Sequence, residues 1–335
     1  TVFFRNANRG KKSVTLNLKA EGAREALLKL AETADVFIET FRPGVVDRLG
    51  VGYRDVAARN PRIVYCSIAA FGQFGPNRDL PAHDLAVEAL SGVVSVNLGR
   101  DDTPAMPGVP AADMAASLMA FGGILMALYR RTQTGCGDYL DISMQDSLMA
   151  WVPNVLGPVF AEKRAPVPKL ERTWGGSAFY RIYQTRDHRH VVLGGQEIKF
   201  VRNLLEALGR PEFIELAARG PGAHQQPLVE FLEATFRTRT QAEWVDWFEG
   251  RDICFAPVLN LREAFDQAQP AQRGMLLHDE DGREHLGIPI KFTNEPGRAQ
   301  FDVPMPGEHT REVLSAAGLD EASLAQLARS GAIPP

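Results

Sequence analysis

The chain of 335 residues has few cysteines and no long run of basic residues. Its three cysteines, Cys66, Cys136 and Cys254, lack metal-ligand spacing, and their odd number indicates reduced, buried thiols in a cytoplasmic protein. A formal net charge of −4 disfavours nucleic acid as a partner. Because the uncharged segment 114–129 is too short to span a bilayer, we expect a buried helix there and no membrane association.

Several motifs that identify common enzyme classes are also missing. The sequence contains no GxxxxGKS or GxxxxGKT, no HExxH, no CxxC and no GxSxG. These absences leave ATPase, zinc-protease and α/β-hydrolase functions without support, and we expect no metal site. With 45% hydrophobic and 23% charged residues, the composition is that of a globular protein long enough for two domains.

Short apolar strands alternate with amphipathic helices in the first half of the chain, which predicts an α/β domain with a mainly parallel sheet over residues 1–160. The charged, proline-containing segment 161–176 is predicted to be a linker. A smaller α/β or α+β domain is expected over residues 177–295. The predicted strands of the first domain are SVTLNL (13–18), DVFIET (35–40), RIVYCSI (62–68) and YLDISM (139–144).

A single carboxylate, Asp113, stands directly before the uncharged segment 114–129. One interpretation is a helix start, since acidic residues are stabilised near the unpaired amides of a helix N-terminus. The other interpretation is a catalytic carboxylate at the edge of a dry core. The residues of this stretch leave both interpretations open.

The loop AAFGQFGP (69–76) follows a predicted strand directly. In open α/β sheets, ligands bind at the carboxyl ends of the strands. Gly72 and Gly75 allow the backbone of this loop to approach a ligand closely. An ordinary glycine-rich surface turn is the alternative.

Motifs along nearly the whole chain resemble the CaiB/BaiF group, the class III CoA transferases, which also contains the α-methylacyl-CoA racemases. The motifs are NRGKKSVTLNLK, ADVFIETFRPGVVDRLG, NPRIVYCSIAAFGQFGP, the D of PGVPAAD, GILMALYRRTQTGCGDYLDISMQD and PGEHTREVLSAAGL, in this order. The resemblance implies a Rossmann-like, CoA-binding large domain, to which residues 296–335 return, and an interlocked homodimer. It also implies an acyl-CoA substrate, with coenzyme A as part of the substrate and no tightly bound cofactor. The βα unit with which the family normally begins is not in this sequence.

The resemblance also assigns candidate catalytic residues. Asp113 matches the family's catalytic acid, which favours the second interpretation above. His83 matches the histidine of the racemase branch, and Glu197 in LGGQEIKF matches a glutamate that supports it. The glycine-rich loop of the formyl-CoA type transferases is reduced to residues 174–176. These features favour a 2-methylacyl-CoA racemase in which Asp113 and His83 exchange the α-proton, while the backbone amide of Asp84 receives the enolate oxygen.

Two other functions stay open. In a CoA transferase, Asp113 is the nucleophile that forms a mixed anhydride and then an aspartyl-CoA thioester, and His83 only positions the substrate. The chain can also be an inactive CoA-binding homologue. Ala82 and the residues AVEA (86–89) depart from the glycine and the asparagine-aromatic pair typical of racemases. His83 with Asp84 can be a helix cap, and Glu197 a plain helix start.

Cationic side chains are needed for the phosphates of CoA. Arg42 and Arg48, in FRPGVVDRLG, match basic positions that lie near CoA in the family, and Lys12 is a weaker candidate. An ordinary surface charge is the alternative for each of them.

Overall fold

The computed structural model describes residues 1–99 and 101–335. Its strands are β1 Val36–Glu39, β2 Val64–Ala69, β3 Asp138–Ser143, β4 Tyr180–Gln184, β5 His190–Gly194, β6 Phe255–Pro257, β7 Leu276–His278 and β8 Glu284–Leu286. Its α-helices are α1 Val2–Asn8, α2 Ala23–Ala31, α3 Val45–Arg48, α4 Tyr53–Arg59, α5 Asp84–Leu90, α6 Ala111–Thr134, α7 Met144–Met149, α8 Leu156–Phe160, α9 Ile198–Ala207, α10 Ile214–Ala218, α11 Gln226–Phe236, α12 Gln241–Phe248, α13 Leu261–Phe265, α14 Ala268–Gln272, α15 Thr310–Ala316 and α16 Glu321–Arg329.

The chain divides into two compact units. The first unit contains residues 1–91, 107–151 and 265–335, and the second contains residues 92–106 and 152–264. The borders differ from the boundaries predicted at residues 160, 176 and 295, because the segment 265–295 groups with the first unit and 161–176 with the second.

The first unit is an α/β structure with a parallel sheet in the order β1-β2-β3. Successive side chains of the central strand β2 point to opposite faces of the sheet. Tyr65 packs with Leu28 and Val56 from α2 and α4, whereas Val64 and Cys66 pack with the helix α6. Helices therefore cover both faces of the sheet, as a parallel sheet requires. The predicted α/β fold class is confirmed.

The second unit is built on an antiparallel sheet in the order β4-β5-β6. Its helices α9, α11 and α12 bury one face each in a single core, in which the rings of Phe236 and Trp244 lie 5.0 Å apart. The helix α12 begins with a capping box, since Thr240 and Glu243 satisfy each other's backbone amides. Because its strands are antiparallel, this unit is the α+β form of the two predicted alternatives.

The predicted strand SVTLNL (13–18) is wrong, since this segment joins none of the sheets in the part of the chain described. It runs beside the C-terminal segment instead. Ser13 donates its amide to the ring of His309, and the amide of Thr15 donates to the hydroxyl of Thr310. The alternation of apolar and polar side chains marks an extended backbone but does not identify its hydrogen-bonding partner.

The segment 114–129 lies in a helix, as predicted, but the prediction that this helix is buried is wrong. The helix α6 runs over 24 residues, and by length and composition it could cross a bilayer. Only 28% of its most apolar stretch is buried. Alanines form its inner face, and a row of large apolar side chains is exposed on the outer face. This row, the α6 stripe, consists of Met114, Leu118, Phe121, Leu125 and Tyr129.

The cysteines are not all buried, as the composition had suggested. Cys66 lies in β2 and is inaccessible to solvent, so burial raises the pKa of its thiol to about 11. Cys136 and Cys254 are exposed.

Candidate active site

The loops at the carboxyl ends of β1 and β2 form one side of the candidate site. In the loop after β2, Gly72 and Gly75 have φ values of +77° and +96°, which few residues other than glycine adopt. The carboxylate of Asp141 in β3 accepts the amide of Gln73 at 3.0 Å. These contacts hold the predicted glycine loop at the edge where ligands of α/β proteins bind.

Two carboxyl groups of α5 accept hydrogen bonds from backbone amides in the first turn of α6. Asp84 accepts the amide of Asp113 at 2.9 Å, and Glu88 accepts the amide of Ala111 at 2.9 Å. The residue before the helix is Pro110, whose side chain makes no capping hydrogen bond. The N-terminus of α6 is therefore capped by acids from a neighbouring helix rather than by its own sequence.

The carboxylate of Asp113 takes no part in this capping. It makes no hydrogen bond or ion pair with any residue that the structure describes, and the side chain is exposed. Burial of part of the carboxyl group and the charge of Asp84 raise its pKa, whereas the charge of His83 acts in the opposite direction. A first-turn acid that is not needed by its own helix is free to act on a bound molecule.

His83 lies directly before α5 and is exposed, and its side chain forms no capping hydrogen bond. The structure thus brings His83, Asp84 and Asp113 together in the first unit, although 29 residues separate the two aspartates in sequence. Glu197 belongs to the second unit, where it is exposed and directly precedes α9. Its support of His83 stays a prediction.

The candidate phosphate-binding residues have different environments. Arg42 and Arg48 are exposed, and neither forms an ion pair within residues 1–99 and 101–335. A side chain placed at Gly44 would meet nitrogens of Arg78 and Arg48 at 3.1 and 3.3 Å, so these two guanidinium groups flank the same loop. Lys12, in contrast, is paired with Glu312. The geometry favours the arginines over Lys12 as ligands of an anion.

Sequence reasoning missed two residues of this region. Arg78 follows the glycine loop in FGQFGPNRD, and the same strand-end argument that selects Gly72 and Gly75 would have selected it. Glu88 stands four residues after Asp84, which places both acids on one face of a helix. This spacing of four residues could have identified Glu88 from the sequence. In the described part of the chain, no group of three or more His, Cys, Asp or Glu side chains is placed to hold a metal ion.

A known protein family matches nearly the whole chain. A model of CoA-transferase family III matches residues 1–310, and the chain therefore belongs to that family. The enzymes of this family act on acyl-CoA thioesters. The relatives of this chain include both transferases and racemases.

Two of these relatives are similar to the chain to nearly the same degree. The acetyl-CoA:oxalate CoA-transferase of Acetobacter aceti is 33% identical over 315 residues, which cover 90% of this chain and 80% of the relative. The α-methylacyl-CoA racemase of Homo sapiens is 32% identical over 323 residues, which cover 95% and 84%. A crystal structure of a CaiB/BaiF family protein from Brucella suis has a TM-score of 0.78 and 25% identity, and covers 94% of this chain and 84% of its own. Overall identity therefore does not separate the two reactions.

Proposed function

We propose that the protein is a 2-methylacyl-CoA racemase in which Asp113 and His83 exchange the α-proton of the thioester. The observation that carries this proposal is the carboxylate of Asp113, which has no structural partner in the described residues and lies within the electrostatic reach of His83. Racemisation needs two acid–base groups on opposite sides of one carbon. A carboxylate and an imidazole can hold the complementary protonation states near neutral pH.

The proposed reaction moves two protons. The carboxylate of Asp113 removes the proton from the α-carbon, and the electron pair passes to the thioester oxygen to give an enolate. The imidazolium of His83 then protonates the opposite face of that carbon, and the carbonyl re-forms. Afterwards Asp113 is protonated and His83 is neutral, which is the state that processes the opposite isomer. The backbone amide of Asp84 is assigned to the enolate oxygen, as the family resemblance implies.

Coenzyme A enters this scheme as part of the substrate, and no tightly bound cofactor is proposed. The space beside Gly75 is open, since a Cβ there would meet no atom within 4 Å, and we assign this space to the pantetheine chain. Arg42 and Arg48 would bind the phosphates, because charge-assisted hydrogen bonds to phosphate are the strongest that arginine makes. We also propose a cytoplasmic location, because the three cysteines lack the even number and the spacing typical of a disulfide framework.

The free carboxylate of Asp113 also favours a second function, CoA transfer. A carboxylate with no partner can attack a thioester as well as remove a proton. Attack gives a mixed anhydride and free CoA thiolate, and the thiolate then converts the anhydride to an aspartyl-CoA thioester and releases the first acid. An acceptor carboxylate takes over the CoA through a second anhydride. In this reaction His83 would only position the substrate.

We further propose that the α6 stripe is covered by a second copy of the chain. The stripe presents five large apolar side chains on one face of α6, including Phe121, which is 53% exposed. The opposite face of the same helix packs through Ala120 and Ile124 onto the parallel sheet, so insertion into a membrane would carry polar sheet edges into lipid. Exposed apolar patches of this kind are typical of subunit interfaces. A homodimer is also what the family resemblance implies.

The test is proton exchange at the α-carbon. We would incubate the protein with a 2-methylacyl-CoA in D₂O without any acceptor acid, and follow the thioester by mass spectrometry. A gain of one dalton is expected in the wild type from either isomer. Asp113→Asn should abolish the gain for the isomer whose α-proton Asp113 removes, and His83→Gln should abolish it for the opposite isomer. Asp138→Asn is the matched control, because Asp138 lies at the opposite end of β3 and is paired with Arg130.

The other outcomes separate the alternatives. A protein that binds CoA and shows no exchange, but forms an acyl or CoA adduct on Asp113 that an acceptor acid discharges, is a transferase, and the racemase proposal is then wrong. Binding of CoA with neither exchange nor adduct formation over several acyl groups identifies an inactive homologue.

A further inference from the structure

Glu88 is a carboxyl group in an unusual position. It is inaccessible to solvent, and it lies in the segment AVEA that departs from the racemase pattern. One oxygen, Oε1, accepts a hydrogen bond from the amide of Ala111. No described residue donates a hydrogen bond to the other oxygen, Oε2. A buried ionised oxygen without a donor is strongly destabilised, so the free energy of the folded state favours a proton on this atom.

Asp84 supplies an acceptor for that proton. Asp84 lies one turn before Glu88 on the same face of α5, and both side chains accept amides of the first turn of α6, so the two carboxyl groups are neighbours. Two carboxyl groups can share a hydrogen bond only when one of them is protonated. Each of the two acids already accepts one backbone amide, so burial decides which of them carries the proton. Glu88 is inaccessible to solvent and Asp84 is partly exposed, which assigns the O–H to Glu88. Burial is the largest cause that raises the pKa of Glu88, and the charges of Asp84 and of Asp113 on α6 act in the same direction.

We infer that Glu88 is a positioning residue that stays protonated, donates its O–H to Asp84 and accepts the amide of Ala111, and thereby holds the first turn of α6 so that Asp113 faces the substrate. Glu88 and Asp84 of α5 accept the amides of Ala111 and Asp113 in the first turn of α6, and the O–H of Glu88 links these two acceptors. A neutral Glu88 also leaves one negative charge, rather than two, beside the Asp113 carboxylate. Glu88 itself touches no reacting atom.

The test compares three variants at this position. In Glu88→Gln, the amide oxygen can accept from Ala111 and the NH₂ group can donate to Asp84, so glutamine reproduces the protonated acid. Glu88→Leu fills a similar volume without either hydrogen bond, and Glu88→Ala leaves a cavity. We expect Glu88→Gln to keep kcat within about threefold of the wild type, and Glu88→Leu to lower kcat by about 10- to 100-fold with little change in KM.

Two activity results overturn the inference. Loss of activity in Glu88→Gln as large as in Glu88→Leu means that an ionised carboxylate is required. Full activity in a folded Glu88→Leu means that the residue only fills space. Circular dichroism and thermal unfolding identify variants that fail to fold.

The kinetic test rests on the proposed function, so a second measurement is independent of it. In protein labelled with ¹³C at the glutamate side-chain carboxyl, the resonance of Glu88 is assigned by its absence from Glu88→Gln. A protonated chemical shift at pH 7 supports the inference, and an ionised shift overturns it. If the wild type shows neither exchange nor CoA transfer, the proposed function fails while the spectrum still decides the state of Glu88.

Discussion

The two units of the molecule bury their apolar surface to different degrees. The second unit has one contiguous core of fourteen buried residues, in which the rings of Tyr183, Phe236 and Trp244 are in contact. The first unit divides its core into three smaller clusters and leaves the α6 stripe exposed. The same unit carries His83 and Asp113. The unit that carries the proposed chemistry is thus the one with the α6 stripe, for which we propose a second copy of the chain, whereas the core of the second unit is completed within the chain.

The largest effect is expected from the core of the second unit. Trp244→Ala removes a side chain that is 2% exposed and donates to the carbonyl of Phe236, so we expect a loss of about 3–5 kcal/mol in the free energy of unfolding. Urea denaturation followed by circular dichroism measures it. The matched control is Trp151→Ala in the first unit, where the tryptophan is 46% exposed and a change within about 0.5 kcal/mol is expected. Equal losses would remove the contrast between the two units.

A charge on the α6 stripe tests whether the first unit needs a second copy. We expect Phe121→Glu to weaken self-association about tenfold or more, because the carboxylate would be buried in an apolar interface. Sedimentation velocity over a range of concentrations measures the effect. Ile182→Glu, at a side chain that is 62% exposed in β4 of the second unit, should leave association unchanged. A wild type that stays monomeric contradicts the proposal.

Removal of single cations tests the first unit as the CoA-binding region. Arg48→Ala should weaken CoA binding by about tenfold, because it removes a charge-assisted contact to phosphate. Lys12→Ala should change the affinity less, since Lys12 is already paired with Glu312. Isothermal titration with CoA gives both values. The reverse order of effects would assign the phosphate site to Lys12.

The smallest effect is a shift in the pH profile. The Asp113 carboxylate must be ionised to accept a proton, so activity falls as the pH drops through its pKa, which burial and the charge of Asp84 raise. Asp84→Asn keeps an oxygen for the Asp113 amide but removes the charge, so the Asp113 pKa falls and the acid limb moves to lower pH. The profile of kcat/KM against pH shows this. An unchanged acid limb would mean that Asp84 does not act on Asp113 through its charge.

Much of the fold was predictable because its signals are local. The strands RIVYCSI and YLDISM follow from their apolar, β-branched composition and from the turn residues that flank them. The segment 13–18 was predicted wrongly because an extended pattern does not reveal that its partner is the distant residue Thr310. The apolar composition of α6 likewise does not reveal which face of the helix packs against the rest of the chain and which face is exposed.

The site was predictable in part. His83 and Asp113 were identified from the family resemblance, and the structure adds why the pair is near each other, since α5 caps α6. The role of Glu88 depends on which atom of a buried side chain lacks a partner, and that is a property of the packed helices rather than of the sequence.

The fold does not need the carboxylate of Asp113, since no described residue forms a hydrogen bond or ion pair with it, and we propose that this group serves the chemistry. The most direct measurement compares thermal unfolding and turnover of Asp113→Asn with those of the wild type. We predict a change in unfolding free energy below about 1 kcal/mol together with a loss of turnover of about 10²- to 10⁴-fold. A clear loss of stability with turnover retained would show that Asp113 is a helix-start residue, and would contradict the account.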